Sequence, residues 1–132
     1  MNYLKKFIVQ PGTRVDLSKI DAGFRDKHES HAHALPEIQI FERKLHDLQY
    51  RMYAEQKHSL LICLQGRDAS GKDGTIKHVL GAMNPQGCTV TGFKVPSREE
   101  AAHDFLWRYH KAAPPVGHVA IFNRSHYEEV LV

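Results

Sequence analysis

A stretch of glycines and one lysine in the middle of the chain has the spacing of a phosphate-binding loop. Gly66, Gly71 and Lys72 satisfy the pattern G-x-x-x-x-G-K within the segment GRDASGKDGT. Glycines allow backbone angles that turn consecutive N–H groups toward one point, which forms a nest for anions. The lysine can then place its ammonium between phosphate groups. The chemistry expected at this loop is therefore phosphate binding and phosphoryl transfer.

The residues on both sides of the loop favour the strand–loop–helix arrangement that such a loop requires. Ser59–Gln65, with the sequence SLLICLQ, is a short apolar run typical of a strand covered on both faces. After the loop, apolar residues recur at helical spacing, at Ile76, Val79, Leu80 and Met83. The following helix would add its positive N-terminal end to the anion site. A glycine-rich structural turn is the alternative, and the flanking elements argue against it.

The rest of the pattern is that of an α/β protein. Asn84–Gly87 has the residues of a type I turn, and Cys88–Phe93 alternates as a second strand would. Ser97 and Glu100 have the spacing of a capping box, which opens a helix. The apolar positions of that helix are Ala101, Phe105, Leu106 and Tyr109. His118–Phe122 is expected to be a third buried strand.

Two more helices are predicted at the ends of this pattern. The first is amphipathic and runs from Pro36 to Lys57, since proline is tolerated in a first turn. Its apolar residues share one face: Ile38, Phe41, Leu45, Leu48 and Met52. That face could pack on the sheet or on a partner subunit. Ser125 and Glu128 have the spacing of a second capping box, so a further helix is expected to begin there.

Residues 1–35 show no sustained period and are predicted to be an N-terminal arm beside a domain of residues 36–132. Within the arm, Pro11-Gly12 indicates a turn and Asp16–Ala22 a short helical piece. Three histidines cluster at its end, at His28, His31 and His33. They could hold a metal ion, but no cysteine or well-spaced carboxylate joins them, so solvated loop histidines are the alternative.

Composition narrows the class of protein. The chain has 132 residues, 42% of them apolar and 25% charged, which is ordinary for one soluble domain. Its formal charge of +3 suits an anionic ligand but is far below that of a dedicated nucleic-acid binder. Cys63 and Cys88 lie in apolar runs and are expected to be core thiols in a reducing compartment. The longest apolar run, Leu60–Leu64, is too short to cross a membrane, so a cytoplasmic protein is expected.

Two residues depart from the usual form of the loop. Asp73 follows the lysine where the usual loop has Ser or Thr for magnesium, and Thr75 comes two positions later. Asn123 ends the third strand where many such proteins have aspartate. Magnesium must therefore be held differently, and Asp68 is the candidate, because a carboxylate among phosphates is otherwise repelled. A local hydrogen bond within the turn is the alternative role of Asp68.

Three motifs in the same order resemble the polyphosphate kinase 2 family. They are GRDASGKDGTIKHVLGAMNPQGCTV, FKVPSREEAAHDFLWRYH and IFNRSHYEEVLV, and the resemblance runs from about Leu45 to the last residue. It implies an α/β fold, namely a P-loop kinase-like three-layer α/β/α sandwich with a parallel sheet, truncated here to about three strands. It also implies Mg²⁺-dependent transfer of a phosphoryl group between inorganic polyphosphate and a nucleoside mono- or diphosphate. The form FNRSHYEEVLV, with Asn123, resembles the branch that converts AMP and ADP to ATP.

The resemblance also implies roles for single residues. Asp68 and Lys72 would act at the reacting phosphates, with Asp68 at the metal, and Arg124 would neutralise the transferring group. Lys94 would point into the same pocket, and Glu128 or Glu129 would either face the nucleotide or cap the helix. The remaining phosphate- or nucleotide-binding positions are Gly66, Ala69, Ser70, Gly71, Asp73, Gly74, Thr75 and Asn123. The role of Arg67 stays open, and His126 is expected on a helix surface.

Family members continue beyond the last residue with further strands and a basic helical lid, so the domain is expected to be incomplete at its C-terminus. If the strands follow the order of other phosphate-loop kinases, the order is second–third–first, and one edge of the first strand is open. An open apolar edge predicts either a homo-oligomer or association with the missing part of the protein. Two alternative functions are an ATP-using nucleoside monophosphate kinase and a non-catalytic phosphate- or nucleotide-binding fragment. The chain alone could also be inactive.

Overall fold

Three parallel strands form the sheet on which the predicted site depends. They are β1 (Leu60–Leu64), β2 (Cys88–Gly92) and β3 (Val119–Asn123), in the spatial order β1-β3-β2. This is the predicted second–third–first order. The computed structural model describes residues 3–21, 23–24 and 30–128. Its α-helices are α1 (Tyr3–Phe7), α2 (His31–Glu55), α3 (Lys72–His78), α4 (Arg98–Ala101) and α5 (Trp107–Lys111).

The chain divides into two compact units, Met1–Ile38 and Gln39–Val132. In the first, Thr13 N–H donates to the Gln10 carbonyl across the predicted Pro11-Gly12 turn. Leu17–Lys19 forms a 3₁₀ turn capped by Asp16, as the short helical piece predicted there requires. The histidine cluster is only partly described, because His28 lies outside the described residues. Over the described ranges, no three His, Cys, Asp or Glu side chains form a metal-holding group.

Both faces of the sheet in the second unit carry helices, which confirms the predicted three layers. On one face, Val119 and Ile121 of β3 pack with Met83, and α2 and α3 cover them through Leu45 and Ile76. On the other face, the core residues are Phe93, Tyr109, Ala120 and Phe122. The ladder aligns Ile121 with Ile62 of β1 and with Val90 of β2, so β3 lies in the middle of the core.

Helix α2 begins earlier than predicted. It starts at His31, not at Pro36, and ends at Glu55, not at Lys57. Ser30 caps it, since the Ser30 hydroxyl accepts a hydrogen bond from His33 N–H at 3.3 Å. The helix therefore contains Pro36 in its second turn, where the proline has no N–H to donate to the Ala32 carbonyl and its ring crowds that carbonyl.

The buried face of α2 also differs from the predicted one. Phe41 and Leu48 are exposed, whereas Gln49 is 4% exposed. The Gln49 side chain accepts a hydrogen bond from Asn84 N–H at 3.1 Å. This bond gives a partner to the backbone N–H of Asn84, in the turn that precedes β2. The buried face of α2 therefore contains Leu45, Gln49 and Met52. Of the two partners that the sequence left open, this face of α2 packs on the sheet.

The helix predicted after Ser97 is broken into two short ones. The capping box of Ser97 and Glu100 is present and opens α4, as predicted. The helix stops because the carboxylate of Asp104 accepts a hydrogen bond from Leu106 N–H at 2.9 Å, and the Asp104 carbonyl accepts one from Trp107 N–H. Asp104 thus starts a new turn that leads into α5.

Strand β1 is less covered than predicted. Leu60 and Leu61 are 43% and 44% exposed, and the prediction that Cys63 is a buried core thiol is wrong, because Cys63 is exposed. Within the described ranges, β1 pairs only with β3, so its other edge carries no ladder. Cys88 is partly buried, and its Sγ lies 3.8 Å from Met83 Sδ. No helix in the described part of the chain is long and apolar enough to cross a membrane.

Candidate phosphate-binding site

The ends of all three strands are tied together where the predicted loop begins. Arg124 N–H, just after β3, donates to the Leu64 carbonyl at 3.0 Å, and Phe93 N–H, just after β2, donates to the Asn123 carbonyl at 3.0 Å. Because the strands are parallel, their carboxyl ends meet at one edge of the sheet. Residues that follow β1, β2 and β3 therefore surround one space.

The loop after β1 depends on two glycines for different reasons. A Cβ at Gly66 would lie 2.6 Å from Ser70 Oγ and 3.3 Å from Ser70 Cβ, so any larger residue would have to displace the Ser70 side chain. Gly71 has φ +90°, an angle that side chains disfavour, and the helix α3 starts directly after it. Ala69 also has a positive φ of 61°, which is uncommon for a residue with a Cβ. Strained backbone of this kind is concentrated at ligand sites.

The Lys72 ammonium folds back on the loop that holds it. Nζ donates to the Gly66 carbonyl at 2.7 Å and to the Arg67 carbonyl at 2.9 Å. An ammonium has three donors, so these two bonds fix its position and leave one for a ligand. Lys72 thus stands at the wall of the loop as a positioned point charge.

A cavity of about 520 Å³ opens over this loop and the strand ends. It is bordered by three cationic side chains and two carboxylates, so positive charge prevails in it. Its lining residues are Asp68, Ala69, Ser70, Gly71, Lys72, Asp73, Gly74, Gly92, Phe93, Lys94, Asn123 and Arg124. The structure thus brings residues from three distant segments to one space, although only the loop is continuous in sequence.

Arg124 occupies the centre of a charged network at the end of β3. Its Nη2 donates to Asp68 Oδ1 at 2.7 Å, and its Nη1 donates to Glu128 Oε1 at 3.0 Å. The backbone of Arg124 has φ +70°, so the strand ends in a sharp turn that aims this side chain. Such a conformation costs about 1–3 kcal/mol and must be held by its surroundings. Asp68 is thereby paired with a cation across the cavity.

The second predicted capping box does not form. The Ser125 hydroxyl accepts from Tyr127 N–H at 3.3 Å, but the Glu128 carboxylate bonds to Arg124 and to the Gln65 amide. The helix expected there is seen only at Tyr127 and Glu128, because the described residues end at 128. Glu128 therefore fixes Arg124 from outside the cavity and does not line it.

Lys94 reaches the cavity from the end of β2, as predicted. Its backbone carbonyl accepts a hydrogen bond from the Arg108 Nη1 at 2.7 Å. Arg108 is 8% exposed and lies over the rings of Phe93 and Tyr109 at 5.4 and 5.0 Å from their centroids. A buried guanidinium thus holds the backbone of Lys94 where the β2 ladder has ended.

Some predicted site residues lie outside the cavity, and some cavity residues were not predicted. Gly66 supports the loop from below, and the Thr75 hydroxyl donates to the Gly71 carbonyl at 3.0 Å inside α3. Gly92 and Phe93 line the cavity without having been singled out, although their place before Lys94 was a signal. Gln65 was also missed, and it bonds both Glu128 and Ser125. Its position at the end of a predicted strand was the only sign.

The oxygen atoms around the cavity suit a hard divalent cation. The carboxylates of Asp68 and Asp73 and the amide of Asn123 all line it. Mg²⁺ is usually held by one or two carboxylates together with substrate phosphates and water. The Thr75 hydroxyl is not among the lining groups, so it does not replace the Ser or Thr of the usual loop.

The chain is similar to known proteins over nearly all its length. It is 46% identical to the ADP-polyphosphate phosphotransferase of Rhodopseudomonas palustris, over 97% of this chain and 44% of that protein. It is 45% identical to the AMP/ADP-polyphosphate phosphotransferase of Meiothermus ruber, over 98% of this chain and 49% of that protein. The chain therefore spans about half the length of these curated relatives.

Solved structures agree with the architecture. The crystal structure of polyphosphate kinase 2 from Arthrobacter aurescens TC1 superposes with a TM-score of 0.82 at 39% identity, over 94% of this chain and 46% of that one. A family model described as Polyphosphate kinase 2 (PPK2) matches residues 26–132, so the similarity begins earlier than Leu45. The chain belongs to the polyphosphate kinase 2 family.

Proposed function

We propose that this chain is the phosphate-binding part of a polyphosphate–nucleotide phosphotransferase. The observation that carries the proposal is the cavity in which Lys72, Lys94 and Arg124 converge at the ends of three parallel strands. Three cations on separate elements suit a ligand with several phosphate groups in a row. The relatives named above act on ADP or on AMP and ADP with polyphosphate, so these are the substrates proposed here.

Each cation has a distinct task in this proposal. Phosphoryl transfer needs little covalent help from the protein, so positioned charge around the transferring group supplies most of the catalysis. Lys72 contacts the phosphates from the loop, and Arg124 neutralises the transferring group from the end of β3. Lys94 holds phosphates at the opposite wall. The backbone N–H groups of Ala69, Gly71 and Gly74 supply uncharged donors, whereas that of Ser70 donates to the Arg67 carbonyl within the loop.

We propose Mg²⁺ as the cofactor, with Asp68 as one of its ligands. The cation, when bound, spreads the negative charge of the phosphates. Asp68 is 90% exposed and bonds Arg124 with Oδ1, so Oδ2 stays available beside the cavity. Glu128 keeps Arg124 in place from the other side. In this arrangement Asp68 can hold a cation on one oxygen and orient Arg124 with the other.

The test combines turnover with binding. The purified chain is mixed with long-chain polyphosphate, Mg²⁺ and either ADP or AMP, and ATP is followed by luminescence. Tripolyphosphate binding is measured by calorimetry on the same protein. Lys72→Ala should weaken tripolyphosphate binding about 10- to 100-fold, as expected for lost hydrogen bonds to a charged group. Lys77→Ala, an exposed lysine on α3 outside the cavity, should bind like the parent.

The outcomes separate the candidate functions. ATP formation that requires polyphosphate and is lost in Lys72→Ala supports the phosphotransferase, and formation from AMP supports the AMP/ADP branch suggested by Asn123. Phosphorylation of AMP by ATP alone would favour a nucleoside monophosphate kinase. Binding without turnover would identify a binding fragment, since the chain spans about half the length of the relatives named above. Equal tripolyphosphate binding by the parent and Lys72→Ala would refute the proposed site.

We also propose that the protein forms homo-oligomers through the open side of β1. Leu60, Leu61 and Cys63 leave apolar surface exposed along this strand. An unpaired apolar edge is a ready partner for another chain. Light scattering at high protein concentration tests this directly, and a monomer there would refute it.

A further inference from the structure

The two departures from the usual phosphate-binding loop lie in direct contact. The Asn123 amide Nδ2 donates to Asp73 Oδ1 at 2.6 Å, although the two residues are 50 positions apart. Both side chains line the cavity. In the usual loop, the residue after the lysine is Ser or Thr, and the acidic residue that helps hold Mg²⁺ stands at a strand end. Here the carboxylate stands on the loop side and a neutral amide stands at the strand end.

Each of the two residues makes the other possible. An ionised carboxylate only accepts hydrogen bonds, so the group that faces it must be a donor, which the Asn123 amide supplies. An aspartate at position 123 would put two carboxylates within hydrogen-bond distance, where they could not both be ionised. This wall of the cavity therefore has one carboxylate, as in the usual loop. Here the carboxylate belongs to the first turn of α3, whereas in the usual loop it stands at the end of a strand.

The two carboxylates of the cavity differ in how their charge is balanced. Asp68 is paired with the Arg124 guanidinium at 2.7 Å, and it shares that cation with Glu128. Asp73 bonds a neutral amide, which orients it without cancelling its charge. Asp73 therefore keeps its charge without a bound guanidinium to compete with a metal ion, and such a carboxylate attracts a divalent cation more strongly than one already paired with a cation.

We infer that Asp73 and Asn123 act as one unit, in which the Asn123 amide orients the Asp73 carboxylate as a ligand for the divalent cation that accompanies the phosphates. The inference rests on the proposed function and adds to it a second carboxylate beside Asp68. The hydrogen bond occupies Oδ1 and leaves Oδ2 for the cation. The unit also explains why both departures occur in the same chain. Asp73 together with an aspartate at position 123 would give two carboxylates, and Asn123 together with Ser or Thr at position 73 would give none.

Exchanging the two side chains tests the inference. The variants are Asp73→Asn, Asn123→Asp and the double exchange Asp73→Asn with Asn123→Asp, and the probe is Mn²⁺ alone, counted as free ion by electron paramagnetic resonance. Asp73→Asn should weaken Mn²⁺ binding at least ~10-fold, as for loss of a charged ligand. The double exchange restores one carboxylate and one amide, so it should return to within ~3-fold of the parent. Asp47→Asn, an exposed acid on α2, should bind Mn²⁺ like the parent.

Thermal unfolding without metal gives a second readout. Asn123→Asp alone should lower the melting temperature, because it places two carboxylates together, and adding Asp73→Asn should recover it. Asp73→Ser, with the residue of the usual loop, repeats the loss of the carboxylate with a different side chain. The inference is overturned if Asp73→Asn binds Mn²⁺ like the parent, or if the double exchange binds no better than Asp73→Asn.

Failure of this inference is distinguishable from failure of the proposed function. Tripolyphosphate binding is measured in EDTA on the parent and on Lys72→Ala, so that no cation takes part. If Lys72→Ala loses tripolyphosphate binding but the double exchange fails to restore Mn²⁺ binding, the Asp73–Asn123 unit is refuted and the phosphate site is supported. If the double exchange restores Mn²⁺ binding but Lys72→Ala binds tripolyphosphate like the parent, the cation ligand is supported and the phosphate site is refuted.

Discussion

Strands β1 and β3 are both short and mainly apolar, but they have opposite surroundings. Each has five residues, LLICL in β1 and VAIFN in β3. Val119–Phe122 are all buried, whereas Leu60, Leu61 and Cys63 are exposed. The difference comes from position, because β3 lies between two strands and β1 has one neighbour in the described sheet. An apolar run thus identifies a strand without telling how much of it is covered.

Both strands nevertheless lead into the cavity. β1 runs into the loop that carries Lys72, and β3 runs into Asn123 and Arg124. The hydrogen bond from Arg124 N–H to the Leu64 carbonyl ties their ends at 3.0 Å. Burial therefore fixes β3 in the core, whereas the site itself depends on backbone bonds at the strand ends. The stability of the fold and the geometry of the site can be changed separately.

The largest contrast is expected from matched truncations on the two strands. Ile121→Ala on β3 removes a side chain that is 2% exposed, and it should lower the free energy of unfolding by about 2–5 kcal/mol. Leu61→Ala on β1 removes one that is 44% exposed, and it should cost about 1 kcal/mol or less. Urea unfolding followed by circular dichroism measures both. Equal losses would mean that β1 is as well covered as β3 in solution.

Much of the fold could be predicted because its signals are local. Three features depend on residues only a few positions apart. They are the loop pattern that ends in Lys72, the capping box of Ser97, and the turn in which Gly87 N–H donates to the Asn84 carbonyl. The strand order was predicted by analogy with other phosphate-loop kinases. The bend at Asp104 was not predicted, although an Asp before an apolar segment can start a new turn, because the spacing of Ala101, Phe105 and Tyr109 indicates one continuous helix.

The remaining errors involve contacts between distant residues. Gln49 is buried because it bonds Asn84, 35 positions away, and no local pattern shows this. The exposure of Cys63 depends on which elements lie beside β1. For the site, the cationic residues were expected from the loop pattern and the resemblance. The bond of Arg124 to Asp68 and that of Asn123 to Asp73 were not, because they join residues 56 and 50 positions apart. Such pairs need the sheet order as well as the sequence.

A smaller contrast is expected within the segment that follows β1. Gly71→Ala forces a Cβ into φ +90° and should destabilise the fold by about 1–2 kcal/mol, although no neighbouring atom would clash. Gly74→Ala lies inside α3 with open space around it, and it should stabilise the helix by up to about 1 kcal/mol. Thermal unfolding compares the two. A loss of the same size in both would show that space, and not backbone angle, limits this segment.

The smallest and most direct probe of the open strand is the reactivity of its thiol. Partial desolvation by neighbouring atoms raises the pKa of both cysteine thiols above the ordinary value of 9.0, so both should react slowly near neutral pH and faster as the pH rises through that range. Cys63 should still react before Cys88, because Cys63 is exposed and Cys88 is partly buried against Met83. Labelling with a disulfide reagent, followed by mass spectrometry, ranks the two thiols by their rate of reaction.

If β1 pairs with a second copy, labelling of Cys63 should slow as protein concentration rises, while labelling of Cys88 stays constant. A rate at Cys63 that is independent of concentration would leave β1 open in solution and remove the proposed oligomer surface.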